Sequence, residues 1–299
     1  MNILLTGANG FLGRIIIKLL NKEYSFFTLS TTVGDYTVFL DKEIPDFREL
    51  YDIVIHAAGK AHSVPKTQAE KQKFFEVNVQ GTDNLLKGLE KSGIPKQFVF
   101  ISSVSVYGQE FGALISEEHS LDAKDPYGLS KIKAEKDIID WCIKHKVVCT
   151  ILRLPLLIGE NPLGNLGAMI KGIEKGYYFN IGGGKAKKSM VLAEDVASFI
   201  PKAALIGGIY NLTDGVHPNF HELSDAISKQ KAKRKPHNLP MSIAKMIGFV
   251  GDLLGNKAPL NSLKLKKITS ELTFDDNKAR KDLGWDSKQV LEYFKSNDL

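Results

Sequence analysis

The sequence predicts an α/β fold with a doubly wound parallel sheet and a smaller, mostly helical C-terminal region. Three observations carry this. Short apolar runs alternate with longer segments of helical periodicity through the first half of the 299 residues. The runs are apolar throughout, such as Ile53-Val54-Ile55, as in strands covered on both faces. The first run, Asn2–Thr6, passes into Gly7-Ala8-Asn9-Gly10-Phe11-Leu12-Gly13, a glycine turn that opens a helix.

The elements follow in order. Asn2–Thr6 is a short buried strand, and Phe11–Asn21 a helix with Ile15, Ile16, Leu19 and Leu20 inward. Phe26–Ser30 and Tyr36–Leu40 read as the second and third strands. Only residues 31–35 separate them, so the usual crossover helix is missing there. Asp52–Ala57 is the fourth strand. A long helix carrying Phe74, Phe75, Val77, Leu85, Leu86 and Leu89 then runs to Gly93. Gln97–Ser102 is a strand, Asp125–His145 a helix and Val147–Leu154 another strand. Right-handed crossovers turn this series into a Rossmann-type sheet. After Pro155 the pattern loosens. Leu166–Lys175 and Glu194–Leu205 read as helices, Met190–Leu192 and Gly208–Leu212 as short strands, and helices dominate from Phe220. The expected division is a Rossmann domain over 1–157, with 187–215 returning to it, and a substrate-binding region over 158–299. Lys229–Lys235 reads as a solvated charge run. Met241–Leu254 is amphipathic and is expected to pack on the domain rather than to meet a membrane.

Composition narrows the class. Hydrophobic residues make up 43% and charged residues 25%, which fits a soluble globular protein. Cys142 and Cys149 have neither CxxC spacing nor a His cluster beside them, so no metal site and no disulfide scaffold is expected, and a reducing cytoplasm is. No targeting signal and no transmembrane run is expected either. The net charge of +6 suits an anionic ligand, such as a dinucleotide or a nucleotide-diphosphate substrate. No nucleic-acid-binding motif accompanies it.

The glycine turn has the chemistry of a pyrophosphate site. Gly7 permits the tight turn, Gly10 lets the backbone approach a phosphate, and Gly13 lets the helix pack against the strand. The helix N-terminus offers free N–H groups and the positive end of its dipole.

The spacing Thr6-Gly7-x-x-Gly10-x-x-Gly13 resembles the short-chain dehydrogenase/reductase superfamily, in its extended, nucleotide-sugar-modifying branch. Further segments stand in the order of that family: His56-Ala57-Ala58-Gly59, Asn78-Val79-Gln80-Gly81-Thr82, Ser102-Ser103-Val104-Ser105-Val106-Tyr107-Gly108, Tyr127-Gly128-Leu129-Ser130-Lys131 and Leu283-Gly284-Trp285. The resemblance implies cofactor contacts at Gly7, Asn9, Gly10, Phe11, Leu12, Gly13, Arg14, Ala57, Ala58, Gly59, Asn78 and Pro155. It implies a catalytic set of Ser103, Tyr127 and Lys131, with Tyr127 and Lys131 also on the nicotinamide side. On the substrate side it implies Lys60 and His62 in the sugar pocket, Ser103 on the reacting oxygen, and Asn165 and Lys188 at the diphosphate. Lys188 stands where the family carries arginine, and lacks its forked geometry.

The residues support the catalytic part. Tyr127 and Lys131 lie four apart on one helical face. A tyrosine of pKa near ~10 is a poor base, and an adjacent ammonium is expected to lower that value. Tyr127 then takes a proton from a sugar hydroxyl or returns it, while Ser103 orients the reacting oxygen. One departure concerns the dinucleotide. The end of the second strand reads Leu29-Ser30-Thr31-Thr32, without the acid that binds a ribose 2′-hydroxyl, and Arg14 is within reach of a 2′-phosphate. NAD and NADP both remain open.

Val104-Ser105 occupy the place of a dehydratase's Asp-Glu pair, which argues against dehydration. The resemblance therefore implies a nucleotide-sugar C4 epimerase/reductase. Two alternatives stay open: a strict NADPH-dependent 4-keto-sugar reductase in polysaccharide sugar synthesis, and a non-catalytic NAD(P)-binding sensor or scaffold. It also suggests a homodimer through the helices of Asn78 and Tyr127.

Overall fold

The computed structural model describes residues 1–61, 65–160, 162, 164–254 and 260–296. The strands are β1 (Asn2–Thr6), β2 (Ser25–Ser30), β3 (Tyr36–Thr37), β4 (Ile53–His56), β5 (Gln97–Ser103), β6 (Gly112–Ile115), β7 (Val148–Leu154), β8 (Leu156–Ile158), β9 (Phe179–Ile181), β10 (Met190–Leu192), β11 (Gly208–Asn211), β12 (His237–Leu239) and β13 (Leu272–Phe274). The helices are α1 (Phe11–Leu20), α2 (Gln68–Phe75), α3 (Gly81–Ser92), α4 (Pro126–His145), α5 (Gly164–Glu174), α6 (Ala193–Ile206), α7 (Phe220–Gln230), α8 (Met241–Leu254), α9 (Ser262–Thr269), α10 (Asn277–Leu283) and α11 (Val290–Ser296).

Seven strands form one parallel sheet in the order β11-β7-β5-β4-β1-β2-β3. The chain runs outward from β1 through β2 to β3, then returns across β1 to β4. That reversal opens a crevice at the carboxyl ends of β1 and β4, where Rossmann-type sheets bind ligands. Leu5, Ile55, Val99 and Leu152 pack on α1 and α6 on one face. Leu4, Val54, Phe98 and Ile151 pack on α3 and α4 on the other. Each such side chain contributes roughly 1.5–3 kcal/mol by leaving water.

Two elements differ from expectation. β3 ends at Thr37 rather than at Leu40. Helices draw the chain off the sheet edge: the Asn84 side chain donates to the Leu40 carbonyl at 2.7 Å, and Lys73 pairs with Asp41 at 2.5 Å. The long helix before Gly93 is not uniform. Between α2 and α3, residues Glu76–Gln80 form a π-helical turn around Asn78.

Beyond β7 the chain builds three further two-stranded sheets, all parallel: β10 on β8, β12 on β9 and β13 on β6. Within 187–215, β11 closes one edge of the large sheet, while β10 belongs to a small one. No helix among the described residues is long and apolar enough to cross a membrane.

Candidate active site

The glycine turn sits at the end of β1. Gly7 has a φ of +72°, and its N–H donates to the Leu29 carbonyl at 3.0 Å. A Cβ on Gly7 would lie 2.7 Å from the Ala58 nitrogen, and one on Gly13 would lie 2.2 Å from the Gly7 oxygen. Neither position admits a side chain. α1 begins at Phe11 with no side chain capping it, so the amides of its first turn are left for a ligand. Asn9 faces the loop after β2. Its amide nitrogen lies 3.0 Å from Ser30 Oγ, 3.0 Å from Thr32 Oγ1 and 2.9 Å from the Val33 oxygen. The Asn9 side chain thus shapes the wall of the crevice. Asp35, the next acid along, accepts from the Thr28 N–H and hydroxyl, each at 2.8 Å. No carboxylate stands at the end of β2, and Arg14 is exposed, with no ion pair among the described residues.

The end of β4 is held by a buried chain of hydrogen bonds. The Thr6 hydroxyl accepts from the Ala58 N–H at 3.1 Å and lies 2.6 Å from His56 Nδ1. His56 Nε2 lies 2.9 Å from Thr82 Oγ1, which donates to the Asn78 carbonyl at 2.7 Å. Burial, helped by the charge on Lys131, pushes the imidazole down to about 3, so it is neutral at physiological pH.

Asn78 ties three segments together. Its Oδ1 accepts from the Lys60 N–H at 2.7 Å, and its Nδ2 donates to the Lys60 carbonyl at 3.1 Å and to Ser130 Oγ at 2.8 Å. Beside it, a Cβ on Gly59 would fall 3.1 Å from Asn78 Oδ1 and 3.4 Å from Lys131 Nζ. A cradle lined by glycine and alanine therefore runs from the glycine turn along Ala57, Ala58 and Gly59 to Lys131. It fits an extended dinucleotide.

α4 begins with Asp125 as its cap, accepting from the N–H groups of Tyr127 and Gly128 at 3.1 and 3.0 Å, with Pro126 in the first turn. This presents Tyr127 opposite Ser103, the last residue of β5. The Ser103 hydroxyl accepts from the Ser105 N–H at 3.2 Å and lies 3.0 Å from Ser105 Oγ. Burial raises the Tyr127 phenol above its ordinary value, and the Ser103 hydroxyl pulls it partly back. This corrects the expectation of a phenol lowered by Lys131. The Lys131 amine is buried, donates to the Ile101 carbonyl at 2.8 Å and sits 4.4 Å from the centre of the Phe100 ring. Burial lowers its own pKa to about 8, against the opposing pull of Glu135.

The substrate-side residues are more scattered. Lys60 lies with its amine 5.4 Å from the centre of the Phe74 ring, and Phe74 packs near Tyr127 with ring centres 6.1 Å apart. Pro155 joins β7 to β8, and Asn165 is exposed in the first turn of α5. Lys188 is half-buried, with its pKa lowered by burial, and its amine donates to the Lys267 carbonyl at 3.1 Å, at the end of α9. His62 lies outside the described residues. Sequence reasoning missed the partners that hold the site: Thr6, Thr82 and Ser130. All three lay inside the motifs quoted, but their pairing depends on strand register, which sets Thr6 beside His56. Among the described residues, no group of three or more His, Cys, Asp or Glu is arranged to hold a metal ion.

The fold and this constellation define an NAD(P)-dependent oxidoreductase site at the switch point of a doubly wound sheet. Residues 3–212 match the model of the NAD dependent epimerase/dehydratase family, and the chain belongs to that family. It is 32% identical over 301 residues to the N-acetyl-alpha-D-glucosaminyl-diphospho-ditrans,octacis-undecaprenol 4-epimerase of Escherichia coli O157:H7, covering 93% of this chain and 88% of that one. It is 29% identical over 318 residues to the UDP-glucose 4-epimerase of Vibrio cholerae, covering 97% and 92%. Its fold is similar to the crystal structure of the Thermotoga maritima UDP-glucose 4-epimerase, with a TM-score of 0.76 at 21% identity, covering 99% and 96% of the chains. The chain is an enzyme of the NAD(P)-dependent epimerase and reductase kind.

Proposed function

We propose that this enzyme is an NAD(P)-dependent C4 epimerase/reductase acting on a diphosphate-linked sugar, in the cytoplasm and on the way to a polysaccharide. The observation that carries the reading is the convergence of Ser103, Tyr127 and Lys131 beside the cradle of Gly7, Gly10, Gly13 and Gly59. Those glycines, the free first-turn amides of α1, Asn78 and Lys131 would hold the dinucleotide, with Pro155 toward the nicotinamide. When bound, the nicotinamide supplies the acceptor and donor of hydride at the sugar carbon. Tyr127 moves the proton of the reacting hydroxyl, Ser103 orients that oxygen, and Phe74 covers the ring side of Tyr127 against water. Burial raises the Tyr127 phenol above its ordinary value in the free enzyme, which suits proton donation to a keto-sugar. Val104-Ser105 leave no acid pair beside Ser103 for loss of water.

The absence of a carboxylate at the end of β2, together with the exposed Arg14, supports a second reading as an NADPH-dependent 4-keto-sugar reductase. The diphosphate carrier is also open between a nucleotide and a polyprenol. The name of the 32% identical relative supports the latter.

The test is turnover of candidate sugar diphosphates by the purified enzyme. Tyr127→Phe is expected to lower kcat by about 10²–10⁴ while cofactor affinity is kept. Unchanged turnover by that variant would remove Tyr127 from the chemistry. Product formed on retained dinucleotide without added NADPH indicates epimerisation; strict need for added NADPH indicates the reductase. If Arg14→Ala leaves the ratio of NADP to NAD affinity unchanged, Arg14 has no part in 2′-phosphate recognition.

A further inference from the structure

α8 is inverted relative to an ordinary surface helix. It turns Ala244, Gly248 and Gly251 inward. A Cβ on Gly248 would lie only 3.4 Å from the Ser262 nitrogen, so α9 approaches along this stripe, and Asp252 accepts from the Ser262 N–H at 3.0 Å. The large apolar side chains point the other way. Met246, Phe249 and Leu253 are 63%, 66% and 77% exposed, and Ile243 and Val250 lie on the same side. At 100° per residue these five span one continuous face opposite the small residues. Soluble surface helices place such residues against the core.

Charge is concentrated in the stretch of sequence that carries this face. Residues 229–270 contain ten Lys and Arg against a single Asp, an excess of nine. The whole chain carries only +6, so everything outside that segment is net acidic by three. Lys245 lies exposed at the edge of the apolar face of α8, with no ion pair among the described residues. On α9 the Lys266 amine stands 4.9 Å from the centre of the Phe111 ring, itself exposed, so the apolar surface continues past α9. Among the described residues, four lysines of the segment are paired with acids outside it: Lys229 and Lys235 with Asp225, Lys231 with Glu174 and Lys267 with Glu110.

We propose that the α8–α9 hairpin docks the enzyme on an anionic lipid bilayer, with α8 lying in the plane of the interface. An apolar face rimmed by lysines is the pattern of interfacial helices. Charge favours this occupant over a second copy of the chain, because pairing two such faces would oppose one strongly basic segment to another. The hairpin also adjoins the substrate side, since the end of α9 accepts the hydrogen bond of Lys188. The proposal stands apart from the reaction assigned above and is read without turnover.

The test is co-sedimentation of the full chain with vesicles. Binding to vesicles of phosphatidylethanolamine and phosphatidylglycerol is expected to exceed that to phosphatidylcholine by about tenfold or more, and to weaken with salt. The double variant Phe249→Ser/Leu253→Ser is expected to lose roughly tenfold or more in partitioning, with unchanged melting temperature and NAD(P) binding. Lys245→Glu/Lys266→Glu is expected to lose roughly fivefold per lysine and to weaken the salt dependence. The proposal is overturned if the wild-type chain does not sediment with the anionic vesicles. It is equally overturned if sedimentation velocity finds a dimer that Phe249→Ser/Leu253→Ser makes monomeric while vesicle binding is unaffected.

Discussion

His56 is 2% exposed, and both of its ring nitrogens are engaged. Thr82 donates its hydroxyl hydrogen to the Asn78 carbonyl, so His56 Nε2 must be the donor to Thr82. Nδ1 then accepts from Thr6, whose hydroxyl in turn accepts from the Ala58 N–H. A protonated ring would put two donors against Thr6 and leave a buried charge. Because the folded value lies near 3 and the unfolded one at 6.5, the unfolded chain takes the proton first as pH falls. Stability therefore declines as pH falls between those values, by on the order of 5 kcal/mol for this group across the full window. The His56 resonances are expected to show no titration between pH 7 and pH 4, and a midpoint inside that range would contradict the buried relay. Lys131 behaves in the same sense, in a more alkaline window. Its folded value near 8 lies below the unfolded 10.5, so its burial cost is fully present below 8 and relaxes as pH climbs toward 10.5. The charge it offers a dinucleotide fades above about 8. At this scale the reacting types were legible, because Tyr-x-x-x-Lys spacing and a serine at a strand end are local facts. The raised Tyr127 phenol was not, because desolvation depends on what Phe74 and β5 bring around it.

α4 lines up Tyr127, Lys131 and Glu135 at successive turns. Glu135 forms a buried pair with Arg153 of β7, with Oε1 3.1 Å from Nε and Oε2 2.7 Å from Nη2, and Ser102 donates to Glu135 at 2.5 Å. Arg153 also donates to the Tyr107 hydroxyl at 3.1 Å, which donates to Asn211 of β11 at 2.8 Å. The pair therefore sets α4 on the sheet beneath the reacting residues. Glu135→Gln is expected to destabilise the fold by roughly 3 kcal/mol, because it leaves Arg153 charged and unmatched in a dry site. Glu135 also raises the Lys131 pKa, so its removal should move the alkaline loss of dinucleotide affinity to lower pH. Affinity titrations across pH would show it, and an unmoved limb would make Glu135 a purely structural residue. Sequence periodicity located α4 and its start, since Asp125-Pro126 is a strong initiation signal. It did not reveal the π-helical turn at Glu76–Gln80. One extra residue in a turn leaves the apolar spacing of Phe74, Leu85 and Leu89 compatible with a continuous helix. Yet that turn carries Asn78, which joins Lys60 to Ser130.

For the whole molecule, the large sheet could be read from sequence because each strand is a contiguous apolar run and the rules of crossover then limit the order. On the substrate side Met190–Leu192 was legible as β10, but β6, β9, β12 and β13 were not. Those four are three or four residues long, too short for periodicity to mark, and their partners lie far along the chain. Leu272 pairs with Gly112, His237 with Phe179 and Met190 with Leu156. This arrangement has a kinetic consequence. Closing a long loop costs entropy before any contact repays it, and parallel pairing adds no tight turn to nucleate it. β1, β4 and β5 are expected to gain protection first in pulsed hydrogen exchange, and β6 and β13 last. Simultaneous protection of β13 and β1 would refute that order. A nascent chain would accordingly possess its dinucleotide cradle before its sugar pocket, and a bound dinucleotide could steady the half-folded enzyme while the remainder of the chain finds its place.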